Sequence, residues 1–157
     1  MKIHFIPVTD KNRKGVLSLQ ILPEQRGYIE SVEQCLAEAG CIRNWRPVGV
    51  YDGNRLVGFA MYGFFLREYP PFGRLWMDRF LIDRRCQGQG YGRESLRLLL
   101  ERLEKEYPLR DVFLSVVAGN APAVRLYQSF GFRFTGEKDV HGEDVMRRAG
   151  RRFFQKI

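Results

Sequence analysis

Apolar and polar residues alternate over residues 2–8 and predict an opening strand. Thr9 or Asp10 can cap a helix running toward Leu19. After the break at Pro23, a second helix is predicted from about Tyr28 to Ala39. Its apolar stripe is Tyr28, Ile29, Val32, Cys35, Leu36 and Ala39, and Gly40 ends it. On that wheel Glu30 lies nearly opposite the stripe and Glu33 on its flank. Two strands follow, 47–51 and 56–65, around the hairpin signal Asp52-Gly53-Asn54. The second is apolar on both faces and is expected at the centre of a sheet. Beyond Pro70-Pro71 comes a strand over 74–82, then a glycine-rich loop over 87–92. That loop opens a helix carrying Leu96, Leu99, Leu100, Leu103 and Tyr107 on one face, stopped by Pro108. Val112 to Val117 reads as a buried strand, and Asn120 as the cap of a short helix with Pro122 in its first turn and Gly131 at its end. Phe132–Lys138 and Glu143–Arg147 are expected to pair across a two-residue turn at His141-Gly142. The resulting class is α/β, a mixed central sheet of about seven strands flanked by about four helices.

Composition narrows the setting. The 157 residues suit one domain over 1–157, with a basic tail from about 148. No apolar run approaches the ~18 residues of a membrane span. The N-terminal residues lack the apolar core and cleavage site of a signal peptide. Cys35, Cys41 and Cys86 are odd in number and form no C-x-x-C frame, so neither a disulfide scaffold nor a metal site is expected. These features predict a reducing, cytoplasmic setting. The net charge is +8, which by itself suggests a polyanionic partner. Five of those charges fall in the last eleven residues, however, and Glu24 to Ala39 is acidic, with Glu24, Glu30, Glu33 and Glu38 against Arg26. With no helix-turn-helix or RNP pattern either, a nucleic-acid-binding module is the weaker alternative. The two edge strands of the predicted sheet leave room for a homodimer.

The run Gln87-Gly88-Gln89-Gly90-Tyr91-Gly92-Arg93 stands between a strand and a helix. Glycines there let the backbone turn tightly and aim its N–H groups inward, and the helix N-terminus adds partial positive charge. It lacks the Gly-Lys-Ser/Thr of a P-loop, and Arg93 stands where a dinucleotide fingerprint needs its third glycine. Its spacing does match Q/R-x-x-G-x-G/A, the coenzyme A loop of GNAT N-acetyltransferases; taken alone, it is equally a turn that only joins strand to helix.

The chain resembles the GNAT superfamily further at Asn120-x-x-Ala123-x-x-Leu126-Tyr127 followed by Phe130-Gly131-Phe132, and in its element order from residue 2 to about 148. Within that superfamily it is most similar to the bacterial Blt-type spermine/spermidine acetyltransferases. That similarity rests on Tyr28-Ile29-Glu30-Ser31, Val57 to Gly63, and Asp78-Arg79-Phe80-x-Ile82-Asp83. The resemblance implies acetyl-CoA as co-substrate and a primary amine as acceptor, with a polyamine favoured over a protein N-terminus or another small amine. It implies that backbone groups of Phe80, Leu81 and Ile82 pair with the pantetheine arm. Gln87, Gly88, Gln89, Gly90, Tyr91, Gly92 and Arg93 would hold the pyrophosphate, Asn120 and Ala123 would flank the coenzyme, and Tyr127 would act as general acid.

The chemistry selects further candidates. A primary amine with pKa near 10.4 must lose a proton before it attacks, at a cost of about 4–5 kcal/mol near neutral pH. Asp78 is the candidate base, since in the alternation Trp76, Asp78, Phe80, Ile82 it keeps apolar company. The competing reading is a salt bridge from Asp78 to Arg79, Arg74 or Arg55, with a water chain as base. Glu30 and Glu33 are either a solvated helix face or, with a polycation as acceptor, carboxylates that hold its distal ammonium groups. Asp78 is also a candidate acceptor contact.

Overall fold

The structure is a computed structural model and describes residues 1–20, 31–117 and 119–150. Along the chain come β1 (Ile3–Pro7), α1 (Arg13–Leu17), α2 (Val32–Cys41), β2 (Trp45–Asp52), β3 (Arg55–Phe65) and β4 (Arg74–Ile82). A 3₁₀ turn (Arg84–Cys86) leads to α3 (Tyr91–Glu106), then β5 (Val112–Val116), α4 (Ala121–Ser129), β6 (Arg133–Lys138) and β7 (Asp144–Arg148). Among the described residues the strands form one sheet in the order β1-β2-β3-β4-β5-β7-β6. All neighbours run antiparallel except β4 and β5. The predicted class and element order hold, and no helix among the described residues is long and apolar enough to cross a membrane.

The sheet separates two apolar layers. On one face the α3 leucines at 96, 99, 100 and 103 meet Val48, Ala60, Tyr62, Leu75, Met77 and Leu114, and the apolar side of α4 packs against the same cluster. Each such leucine contributes about 1.5–3 kcal/mol by leaving water. On the other face Val16 of α1 and Val32, Cys35 and Leu36 of α2 cover Phe59, Met61 and Leu81. β3 supplies both layers, which is why it reads as apolar on both faces.

Four local expectations change. The α2 helix starts after Ser31, which is extended (φ −66°, ψ 153°) and forms a reciprocal capping box with Gln34, so it does not begin at Tyr28. Tyr28, Ile29 and Glu30 lie outside the described residues, as do Glu24 and the basic tail from 151. The first helix is one short stretch with Asn12 at its N-cap, and the Asn12 side chain turns back to accept from the Thr9 N–H at 2.8 Å. Asn120 occupies the N-cap of α4 but its side chain makes no capping bond; Pro122, which needs no N–H partner, stands in the first turn of that helix. Finally, β6 and β7 are joined by residues 139–143 rather than by two residues. Asp139 Oδ1 organises this turn by accepting from the N–H groups of His141 (2.8 Å) and Glu143 (2.9 Å).

Candidate active site

The sheet splits where its two parallel strands separate. β4 and β5 pair only at Leu75–Val112 and Trp76–Phe113, and beyond that point β4 keeps β3 on one side only. Here a cleft of about 260 Å³ runs from Met77–Ile82 on β4 to Leu114, Ser115 and Val116 on β5, with Ala123, Leu126 and Tyr127 of α4 along its wall. An unpaired strand edge offers backbone N–H and C=O groups to any extended amide chain laid beside it.

The far end of this cleft is the glycine loop. Asp83, 1% exposed, terminates β4: it accepts from the N–H groups of Arg85 and Gln20 and holds the Arg85 guanidinium through two bonds of 2.7 and 2.9 Å. The Gln87 amide then donates to the Ile82 carbonyl at 2.9 Å. Gly88 (φ 77°) and Gly90 (φ 85°) are left-handed, a conformation that side chains resist, and open space lies where their Cβ atoms would be. Gly90 is the N-cap of the 16-residue α3, so the loop delivers free backbone N–H groups at a helix N-terminus. This cradle, the bare strand edge and the apolar α4 wall together fit a long ligand with a pyrophosphate at one end and amides in its arm.

A second cleft of about 450 Å³ meets the first at Asp78, Arg79 and Ser115, the residues common to both. It opens toward the end of α2 and the β6–β7 turn. Aromatic walls come from Trp45, Phe65, Tyr69 and Trp76. Six carboxylates line it, Glu38, Glu68, Asp78, Glu137, Asp139 and Glu143, against the three cations Arg74, Arg79 and Lys138. On a chain of net charge +8 this is a local inversion of sign. Arg74 is engaged with Glu137 through bonds of 2.8 and 3.0 Å and stacks over the Phe113 ring.

A β-bulge places Asp78 at the meeting point. Met61 pairs with Arg79 but Tyr62 pairs with Met77, so Asp78 is an extra residue in β4. The bulge reverses the alternation: Leu75 and Met77 face the α3 layer before it, whereas Leu81 faces the α2 layer after it. The expected common face of Trp76, Asp78, Phe80 and Ile82 is therefore not present. Asp78 lies beside Arg79 (Oδ2 to guanidinium 4.0 Å), one of the partners named by the salt-bridge reading.

Tyr127 lines the first cleft from α4. Burial pushes its phenol up to about 12, with the Arg79 charge acting weakly the other way. The group therefore stays a neutral O–H donor across the ordinary pH range. In the second cleft two neighbouring carboxylates are driven apart. Burial alone would raise Asp139, but hydrogen bonds from the Glu143 N–H, the Ser115 hydroxyl and the His141 N–H outweigh it and hold Asp139 below the usual range. Glu143 is raised, first by burial and then by the Asp139 charge.

Of the residues expected to hold a coenzyme, Phe80, Leu81, Ile82, Gln87, Gly88, Gly92, Asn120 and Ala123 line the first cleft together with Tyr127. Gln89, Gly90, Tyr91 and Arg93 do not line it. Gln89 reaches back to the Arg85 carbonyl, the Tyr91 phenol is tied to Asp52 at 2.6 Å, and Arg93 lies over the Phe130 ring. Glu33 is exposed on the first turn of α2 and lines neither cleft; Glu38, on the same helix, does line the second. Sequence reasoning passed over Ser115, Glu68, Asp139 and Glu143. The acidic run 24–39 already contained Glu38, and the Asp139-x-x-Gly142-Glu143 turn was a local signal, but nothing local says which carboxylates converge.

Comparison with known proteins matches this geometry. Residues 23–132 fit the Acetyltransferase (GNAT) family, and the chain belongs to it. It is an acetyltransferase that draws its acetyl group from acetyl-CoA, the ligand the first cleft fits. It is 45% identical over 148 residues to the spermine/spermidine N(1)-acetyltransferase of Bacillus subtilis (strain 168), covering 93% of this chain and 97% of that one. The fold recurs in an aminoglycoside acetyltransferase solved with coenzyme A (TM-score 0.78, 17% identity, 94% of this chain and 95% of that one). It recurs also in the spermidine N-acetyltransferase of Vibrio cholerae, solved with CoA and spermine (TM-score 0.68, 20% identity, 93% of each chain).

Proposed function

We propose that this acetyltransferase modifies a primary amine of a polyamine, spermine or spermidine, by direct attack in a ternary complex. The observation that carries this reading is the second cleft: six carboxylates against three cations on a strongly basic chain, with aromatic walls suited to an alkyl chain bearing ammonium groups. The 45% identity to a spermine/spermidine acetyltransferase points the same way.

The coenzyme is held by the Gly88–Gly90 backbone and the α3 N-terminus, and its arm lies along Phe80, Leu81 and Ile82. It supplies an acetyl group activated as a thioester. Asp78, at the meeting of the clefts, anchors the reacting ammonium, while Glu38 and Glu68 hold the distal ones. A backbone N–H of the Phe80–Leu81 stretch donates to the negative charge developing on the carbonyl oxygen. Tyr127 donates its phenol hydrogen toward the departing sulfur.

The test is thiol release from acetyl-CoA across spermine, spermidine, diamines, monoamines, aminoglycosides and N-terminal peptides. Spermine and spermidine should give the highest kcat/KM. A peptide or aminoglycoside that outruns both would overturn the assignment.

A further inference from the structure

We infer that Ser115, Asp139 and Glu143 form the proton exit of the reaction, carrying the acceptor's proton from the meeting of the two clefts to solvent. The inference rests on the proposed amine acceptor and adds what becomes of its proton. An ammonium has no lone pair, so a proton must leave before the nitrogen can attack.

Ser115 stands where that proton starts, because it is one of three residues common to both clefts. Ser115, Asp139 and Glu143 line the second cleft together, and the Ser115 hydroxyl and the Glu143 carboxyl both interact with the Asp139 carboxylate between them. The geometry is fixed from behind. Asp139 Oδ1 accepts from the His141 and Glu143 N–H groups at 2.8 and 2.9 Å, and the Asp139 N–H donates to the Glu143 carbonyl at 2.9 Å. The chain therefore runs from the reaction centre through a hydroxyl to a carboxylate pair on a surface turn.

A like-charged pair in one site divides its roles: one member stays ionised and the other becomes the more basic, and together they titrate as a unit. Asp139 is the ionised member here and Glu143 the basic one. The charged groups around them are Asp78 and Arg79 from β4, Glu137 and Lys138 from β6, His141 in the turn, Glu38 from α2 and Glu68 from the β3–β4 connection. Several of these are already engaged: Glu137 with Arg74, Lys138 with Asp144, and Asp78 with Arg79. Arg79 opposes the rise at Glu143 without cancelling it.

In the step, an ammonium N–H bond breaks and its electron pair stays on nitrogen as the attacking lone pair. The proton passes to Ser115 Oγ as the Ser115 hydroxyl proton passes to the Asp139–Glu143 pair. The pair later releases one proton to water, and no electron is transferred.

The experiment is the pH dependence of kcat for Ser115→Ala, Ser115→Thr and Glu143→Gln on spermine, or on whichever amine the acceptor panel selects. Near pH 7, Ser115→Ala and Glu143→Gln should each lose about 10²-fold in kcat, with KM for acetyl-CoA unchanged. Near pH 11, where the amine arrives largely neutral, both losses should shrink to within about 3-fold of wild type. Ser115→Thr, which keeps the hydroxyl, should restore most of the rate. A loss equal at both pH values, a loss confined to the acceptor KM, or no loss near neutrality would overturn the inference. Failure of the polyamine reading would show separately, as wild-type enzyme that prefers another acceptor.

Discussion

The carboxylate of Asp78 stands 4.0 Å from the guanidinium of Arg79, although the two are consecutive in β4 and consecutive strand side chains ordinarily point to opposite faces. The bulge at Asp78 permits this: the extra residue bends the strand and turns both side chains toward the gap where β4 leaves β5. A carboxylate and a buried cation are thereby delivered to the one place where the coenzyme cleft and the acidic cleft meet.

Asp78→Asn keeps the shape and removes the charge proposed to anchor the reacting ammonium. A hydrogen bond to a charged group is worth about 1.5–3 kcal/mol, so kcat/KM for spermine should fall roughly 10- to 150-fold. The loss should fall on KM for spermine and shrink near pH 11, where the amine it anchors is largely neutral. The Glu143→Gln loss is in kcat instead, and saturation kinetics of the two variants side by side check the difference.

Tyr127→Phe removes only the hydroxyl. The phenol is held near 12, so wild-type kcat should show no descending limb from this group below that pH. The variant should lose about 10²–10⁴-fold in kcat with little change in KM for acetyl-CoA. Steady-state kinetics on a variant shown by circular dichroism to be folded decides it, and an unchanged kcat returns Tyr127 to a packing role.

Glu38→Gln should raise KM for spermine about 5- to 30-fold at low ionic strength, less for a monoamine, and less again in salt. Glu33→Gln, on the exposed first turn of α2, should change it under 2-fold. Equal effects from the two would move the distal-ammonium site to the start of α2.

Gly90→Ala tests the coenzyme loop through conformation alone, because open space surrounds the missing Cβ. Forcing a side chain into the left-handed region costs about 1–2 kcal/mol. The loop should relax from its cradle geometry, raising KM for acetyl-CoA roughly 10-fold while KM for the amine stays put. Isothermal titration with coenzyme A reads the same change without turnover.

Asp83 links the loop to stability. The bonds from Arg85, with smaller help from the Arg85 and Gln20 N–H groups, outweigh burial and lower its carboxyl to about 2. A carboxyl whose folded-state pKa lies below its ordinary value of 3.8 stabilises the fold above about 3.8, and that stabilisation is lost as pH falls through about 2. Asp83→Asn should therefore cost about 2 kcal/mol near neutrality. Urea melts at descending pH should show the wild-type advantage closing toward pH 2.

The chain's local patterns carried much of this. The leucines of α3 at 96, 99, 100 and 103 announced a helix and the face it buries, because helical periodicity and apolar burial are read over a few turns. Gly88 and Gly90 announced a tight turn ahead of α3 because glycine adopts the left-handed backbone found there without the steric cost a side chain meets. Hairpin closure at Gly53-Asn54 was equally local. The start of α2 was missed because the Ser31–Gln34 capping box competes with an apolar stripe that continues past it.

What sequence determined by itself is the order of elements, the two-faced β3, the glycine loop before α3, and Tyr127 on the α4 side that meets the cleft, because each depends on neighbours within a turn or a strand. Tertiary structure alone decided that Asp78 is a bulge residue, since a bulge is a register relation between two strands, here Met61 with Arg79 and Tyr62 with Met77. It alone brought Glu38, Glu68, Asp139 and Glu143, spread over about a hundred positions of sequence, to one acidic cleft, and set Ser115 against Asp139. Those meetings depend on the splitting of β4 from β5 and on the closure of β6 against β7, and long-range strand pairing leaves no mark in the local alternation of residues.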